Sequence, residues 1–369
     1  MSGPRVFLTG PLLSAPLRTA ILGAEPAARP LRIADHALRM AGARVGLVAE
    51  PGAVTEGLVL DLDPEQAARL DWHQTAAGLR PLTLVIDGDA VLAHGLDPAT
   101  PAEPWEPWEP GAWQARWGDT VRATAGDVLA LRGTVPVAAV RARYRLMLVH
   151  GASCARAAAE PLATSLRHRA GPDDLAVAGR RQPYANFFAV AEYDLSFRRF
   201  DGRMSPVVNR AAFISGDAVT VLPYDPVRDR VLLVEQFRAG PFARGAQPWQ
   251  LEPIAGRIDP GETPEDTARR EAVEEAGLAL GALLKVADYY PTPGAKAEFV
   301  YAFVALADLP DGCEGVFGME GEAEDIRGHL VPFEHLMALV ASGEVATGTL
   351  LLSALWLQRE RPRLRAESR

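Results

Sequence analysis

Residues 256–278 read Gly-Arg-Ile-Asp-Pro-Gly-Glu-Thr-Pro-Glu-Asp-Thr-Ala-Arg-Arg-Glu-Ala-Val-Glu-Glu-Ala-Gly-Leu. Thr263 followed by Pro264 is an N-cap with proline at the first helical position, Asp266 stands where a capping-box acid would, and Gly277 is a natural C-terminal stop. The spacing predicts a helix over Pro264–Ala276, about three to four turns long. On it Glu271 and Glu275 are four apart and Glu274 is three from Glu271, so three carboxylates crowd one face. Ala268, Ala272 and Ala276 form a small apolar stripe for packing on a sheet. Like charges at that spacing cost stability unless a cation sits between them. Hard oxygen ligands of this kind suit magnesium or manganese.

The stretch resembles the Nudix box, G-x5-E-x7-R-E-U-x-E-E-x-G-U with U apolar. It is matched by Gly256, Glu262, Arg270, Glu271, Ala272, Glu274, Glu275, Gly277 and Leu278, with no fixed position missed. The bland alternative is a solvated glutamate-rich helix. Its charged and glycine positions, at roughly 6–7% usage each, would fall into this pattern by chance on the order of once in a million chains of this size.

Flanking residues resemble the ADP-ribose pyrophosphatase branch of that family: Leu222-Pro223-Tyr224-Asp225-Pro226-Val227-Arg228-Asp229, Val234-Glu235-Gln236-Phe237-Arg238 and Trp249-Gln250-Leu251-Glu252-Pro253-Ile254-Ala255-Gly256. Pro293 follows, within Thr292-Pro293-Gly294, at the position that marks this branch. The likeness covers residues 188 to 360 or so. It implies that the Ala255 carbonyl, Glu271 and Glu275 hold Mg²⁺ (or Mn²⁺) with Glu274 close by. It implies that Arg238 and Arg210 grip the substrate phosphates, with Gln236, Glu252 and Pro293 also at the substrate. Guanidinium suits that task because it is always charged and binds phosphate oxygens bidentately. The acidic run Gly318-Met319-Glu320-Gly321-Glu322-Ala323-Glu324-Asp325 matches the loop that supplies a catalytic glutamate in this branch, with Glu322 aligned and Glu324 the second choice. The implied reaction is hydrolysis of ADP-ribose to AMP and ribose 5-phosphate, in a homodimer formed through this domain whose partner lends Arg210. Two rivals remain: the same chemistry on another nucleoside diphosphate sugar such as GDP-mannose, and a non-catalytic nucleotide-sugar sensor.

At 369 residues with 48% hydrophobic content the chain is long enough for two cores. A net charge of −9 argues against sequence-independent binding to nucleic acid or to an acidic membrane surface, which leaves small molecules or protein as partners. The first residues lack a long apolar segment, and nowhere do 18 or more apolar residues run together, so a soluble, cytoplasmic protein is expected. Cys154 and Cys313 lie near no metal-ligand pattern and read as buried or indifferent thiols.

Composition divides the chain at residues 1–118, 119–185 and 186–369. The run Pro101–Trp117 is too proline-broken for helix or central strand and reads as a boundary segment. Residues 120 to 166 show apolar positions at helical spacing around Val140 to Leu166, and a polar stretch, Arg167–Gln182, follows. Strands are expected at Glu192–Phe197, Ala218–Leu222, Val231–Val234, Leu283–Tyr290 and Phe299–Ala307, and helices at Glu334–Ser342 and Thr349–Glu360. The fold class is α+β, the last domain an α/β/α sandwich.

In the first part Arg5–Leu13, Val54–Leu60 and Leu70-Asp71-Trp72-His73-Gln74 resemble the γ-glutamylcyclotransferase-like fold, a small β-barrel with helices. That family opens on Tyr-Gly-Ser/Thr-Leu and uses a glutamate as base; here Thr9-Gly10-Pro11-Leu12 and Gln74 stand instead. Gln74 is neutral at every pH, so the domain reads as a non-catalytic binding, regulatory or dimer-stabilising module. Domain pairs of this kind resemble tellurite-resistance-associated Nudix proteins.

Overall fold

The computed structural model describes residues 3–96, 104–161, 163–318 and 324–368, and the chain divides into two compact units, 1–214 and 215–369. No helix among the described residues is long and apolar enough to cross a membrane.

The first unit opens with β1 (Arg5–Leu8), a 3-10 turn at Gly10–Leu13, α1 (Ala15–Leu22), the hairpin of β2 (Ala28–Ala41) and β3 (Arg44–Asp61), α2 (Pro64–Ala76), and the hairpin of β4 (Leu79–Ile86) and β5 (Asp89–Leu96). The second half of β3 lies antiparallel to β1, while its first half meets β5 at Leu47–Gly95, and β5 also touches β1 at Val6–Leu92. The bent β3 therefore curls the sheet back on itself. Glycine permits the tight crossing, since a Cβ at Gly95 would stand 2.7 Å from the Leu47 carbonyl and one at Gly46 2.7 Å from the Leu96 nitrogen.

Next come the two-residue edge strand β6 (Glu106–Pro107), α3 (Pro110–Trp113), a π-helical turn at Gln114–Gly118, α4 (Asp119–Ala130) and α5 (Val137–Ala159). The expectation that the tryptophan-rich run resists helix fails from Pro110 onward. Pro110 occupies the first turn, where its missing N–H costs no helical bond. Trp113 is buried and donates its indole N–H to the Ala43 carbonyl at 3.2 Å, so the run packs into the core. Conversely, α5 stops at Ala159, ahead of Pro161, and Leu166 is fully exposed. The unit ends in an antiparallel meander of β7 (Leu175–Ala185), β8 (Ala189–Phe197) and β9 (Val208–Ile214).

The second unit comprises β10 (Ala218–Asp225), β11 (Arg230–Phe237), α6 (Ala239–Ala243), β12 (Trp249–Glu252), β13 (Ile254–Arg257), α7 (Pro264–Ala276), β14 (Leu283–Tyr289), β15 (Lys296–Ala297), β16 (Val300–Leu306), β17 (Val316–Phe317), β18 (Ile326–Pro332), α8 (Phe333–Ser342) and α9 (Gly348–Glu367). Its mixed sheet runs β14-β16-β10-β11-β18-β17, with β10 and β16 parallel; β12 adds to β11 and β13 to β10. Alternation sorts the two faces. Val219, Val221, Leu232 and Val234 pack with Ala268, Ala272 and Ala276 of α7. Leu222, Tyr224, Val231 and Leu233 pack with Leu336 of α8 and Leu350, Ala354 and Leu357 of α9. The result is three layers, helix on sheet on helices. The last helix outruns its expected end because the arginines flanking Pro362 anchor it: Arg361 and Arg365 both bond to Asp229, the positive-φ residue of the β10–β11 turn.

Candidate active site

Helix α7 spans Pro264–Ala276, as its sequence predicts. Thr263 caps it by accepting the Asp266 N–H at 3.1 Å, and Gly277 ends it in the left-handed region at φ 61°. The capping box is one-sided, because the Asp266 carboxylate takes the Thr263 hydroxyl rather than a backbone N–H.

Proline also shapes the opposing strand segment. Pro253 has no N–H and separates β12, which pairs with β11, from β13, which pairs with β10. The segment thereby fans across two strands and brings Ala255 and Gly256 under α7. The Ala255 N–H donates to the Glu275 carboxylate at 3.1 Å. Gly256 is bare because Glu271 occupies the space: a Cβ there would stand 1.8 Å from the Glu271 Oε1.

The motif's other fixed residues form a clamp that spacing alone did not reveal. Arg270 donates to both Glu262 oxygens at 3.0 Å, to Glu271 at 2.7 Å and to Glu274 at 2.9 Å, and reaches the Arg257 carbonyl at 3.3 Å. Thr267 adds a bond to Glu262 at 2.9 Å. The loop before the helix is thus tied to the helix by one guanidinium, and two of the three crowded carboxylates already share a cation. Burial works against the Glu262 charge, but these bonds outweigh it and hold its carboxyl below the usual range.

Glu271 and Glu275 behave differently. Burial raises Glu271 to about 7 despite Arg270, and Glu274 and Glu324 add to the rise. Burial raises Glu275 to about 8; the Ala255 N–H and Arg238 oppose this, Glu271 and Glu324 reinforce it. The two are acids short of positive charge. Among the described residues no three carboxylate, imidazole or thiolate groups stand in a finished coordination cluster, which fits the engagement of Glu271 and Glu274 by Arg270. The donors nonetheless suit a hard divalent cation: carboxylate and carbonyl oxygens only, with acids whose ionisation a cation would favour.

Other expected residues divide into those near this face and those elsewhere. Arg238 feels Glu275 and forks onto Glu252 through Nε at 2.8 Å and Nη2 at 2.6 Å. Gln236 is buried on β11 with its side-chain N–H₂ unpartnered. Glu324 lies within electrostatic reach of Glu271 and Glu275. Its carbonyl is 2.6 Å from where a Gly318 Cβ would be, a close approach that glycine at φ 123° allows. Glu322, like Glu320, lies outside the described residues. Pro293 is in an exposed turn closed by Thr292, whose carbonyl accepts from Ala295 and Lys296. Arg210 belongs to the first unit, on β9, where it donates to the Asn209 carbonyl at 2.9 Å. Sequence reading missed a cluster of exposed aromatics beside Arg238: Phe237 with Phe242 at 6.0 Å and with Trp249 at 5.9 Å between ring centroids.

Comparison with known proteins agrees with this geometry. Residues 215–348 match the NUDIX domain. An Escherichia coli K12 protein named ADP-ribose pyrophosphatase is 37% identical over 197 residues, covering 53% of this chain and 94% of the relative. A Haemophilus influenzae protein of the same name is 35% identical over 188 residues, 50% of this chain and 86% of that one. A GDP-mannose pyrophosphatase from Enterobacter sp. strain 638 is 31% identical over 174 residues, 47% of this chain and 89% of the relative. With the box helix, its arginine clamp and these relatives matched over nearly their whole length, the chain belongs to the Nudix family.

Proposed function

We propose that the second unit is a Mg²⁺-dependent pyrophosphohydrolase that cleaves ADP-ribose to AMP and ribose 5-phosphate. The observation that carries this reading is the pair of buried, charge-starved acids, Glu271 and Glu275, facing the Ala255–Gly256 segment. The relatives named ADP-ribose pyrophosphatase support the substrate. Magnesium held by Glu271, Glu275 and the Ala255 carbonyl, with Glu274 beside it, would offset phosphate charge and polarise a water. Arg238 grips the phosphates, and its neighbours Gln236 and Glu252 line the same approach. The exposed Phe237, Phe242 and Trp249 rings offer a flat base surfaces to stack on. Glu322 is the first choice, and Glu324 the second, to orient and deprotonate the water that attacks phosphorus.

A second reading, the same chemistry on GDP-mannose, is favoured by the relatives that carry that name. A panel of nucleotide sugars assayed with Mg²⁺ separates the two. ADP-ribose turned over faster than GDP-mannose is expected; equal or better turnover of GDP-mannose would overturn the substrate assignment. Metal-dependent AMP release in the same assay would also exclude a sensor that binds without hydrolysing.

For the rest of the protein, the reading is a cytoplasmic homodimer joined through the Nudix domain, with Arg210 lent across the dimer. The first domain is read as γ-glutamylcyclotransferase-like and non-catalytic. Its curled sheet and the cavity lined by Thr9, Pro11, Arg44, His73, Gln74 and His94 support that fold. Gln74 in place of an acid supports the lack of catalysis. No 5-oxoproline should be released from γ-glutamyl substrates, by the parent or by Gln74→Glu.

A further inference from the structure

Cys154 is exposed near the end of α5, and one turn earlier the same helix carries His150, half-buried. The Cys154 Sγ and the His150 Nε2 are 3.7 Å apart. The other ring nitrogen, Nδ1, is 2.7 Å from Oδ2 of Asp127, which comes from α4. Asp127 is itself largely buried, and its Oδ1 takes an ion pair from Arg180 of β7 at 2.7 Å. Arg180 in turn lies over the Tyr193 ring of β8, 5.6 Å from its centroid. Side chains of two helices of the first unit thus bracket one imidazole, and two strands hold the arginine that pairs with its aspartate.

We propose that Cys154, His150 and Asp127 form a nucleophile–histidine–orienter triad that activates the Cys154 sulfur and makes it a site of covalent modification by disulfides. The arrangement satisfies each requirement of an activated thiol. Asp127 fixes the ring so that Nε2 faces the sulfur, as the third member of such a constellation must. Arg180 and the imidazolium make the neighbourhood electropositive. Exposure lets a reagent reach the sulfur. Burial disfavours a charged His150, but its bonds to Asp127 and Cys154 win and lift it to about 10, so the ring carries its proton through the neutral range. Asp127 opposes a burial penalty of its own and stays below the usual carboxylate range through His150 and Arg180.

The step is a thiol–disulfide exchange. The Cys154 thiolate attacks one sulfur of a disulfide, a new S–S bond forms as the old one breaks, and the second sulfur leaves with the electron pair as a thiolate. His150 keeps its proton, and no outside oxidant or reductant is consumed.

The test uses the full chain carrying Cys313→Ser, with the disulfide 5,5′-dithiobis(2-nitrobenzoate) as probe, and follows release of the coloured thiolate at pH 6 and pH 8. An ordinary thiol with a pKa near 8.5 would react about 80-fold faster at pH 8 than at pH 6, in proportion to its thiolate fraction. Cys154 is expected to change by threefold or less. His150→Gln should restore a ratio of tens, and Asp127→Asn should lie between. Cys154→Ser in the same background should release nothing. A ratio near 80 in the parent overturns the triad, as does a folded His150→Gln variant with the parent's ratio. Because the parent's ratio is decisive alone, misfolding of a variant does not rescue the idea.

Discussion

Helices α2 and α7 are built alike and used differently. Each has thirteen residues, an oxygen-bearing N-cap, proline at the first helical position and a buried face near its C-terminal end. Asp63 caps α2 through a full capping box with Gln66, at 2.8 and 3.2 Å. The inner face of α2 presents His73 and Gln74, which meet at 3.2 Å. Burial drives His73 down to about 4, with help from His94, so this pair is neutral in the physiological range. The inner face of α7 presents Glu271 and Glu275, acids that burial drives up to about 7 and 8. Both faces avoid bare buried charge, which is costly in a dry interior. Only α7 keeps ionisable acids in reserve there, so the same scaffold yields a neutral histidine–glutamine pair in one unit and a face of buried acids in the other.

The largest effect should come from removing that reserve. Glu275→Gln is expected to lower turnover by on the order of a hundredfold or more, with the fold intact because the Ala255 N–H keeps an acceptor. Near-native turnover at saturating Mg²⁺ would break the contrast between the helices.

A smaller effect probes α2. Folded His73 takes no proton until about pH 4, whereas an unfolded histidine takes one near 6.5, so the unfolded state binds more protons between these values. The first unit should therefore lose stability as pH falls through that window, by on the order of 2–3 kcal/mol. Urea midpoints of the parent and of His73→Met measured from pH 7 to pH 4 test this. The parent should lose ground to the variant with acid, and parallel curves would remove His73 as the cause.

The smallest effect should be shared. Thr263→Ala and Asp63→Ala each remove a cap, at about 1 kcal/mol, because each side chain accepts one N–H of its helix's first turn. A cost at one helix alone, read from the same urea curves, would show that the likeness is superficial.

Much of the second unit was legible in the sequence. The ends of α7 follow from Thr263, Pro264 and Gly277, and the strands at β10 and β11 from β-prone runs on either side of the Asp225–Asp229 turn. Its carboxylate face follows from spacing alone. The first unit was less legible: prolines in the run before Trp117 argued against helix, and only the packing of Trp113 against Ala43 explains why α3 forms there.

Pairing was the hidden part. Arg270 read as a motif letter, yet it spans Glu262, Glu271 and Glu274 and leaves Glu275 as the more starved acid. Cys154 read as indifferent, because its neighbour His150 is visible at one-turn spacing while Asp127 and Arg180 arrive from other elements. Sequence by itself determined the helices' caps, the periodicity of their faces and the inventory of charges, since these depend on neighbours a turn or two away. Which charges are neutralised, and which are left wanting a partner, was decided only by tertiary structure, because burial and ion pairing join residues far apart in the chain.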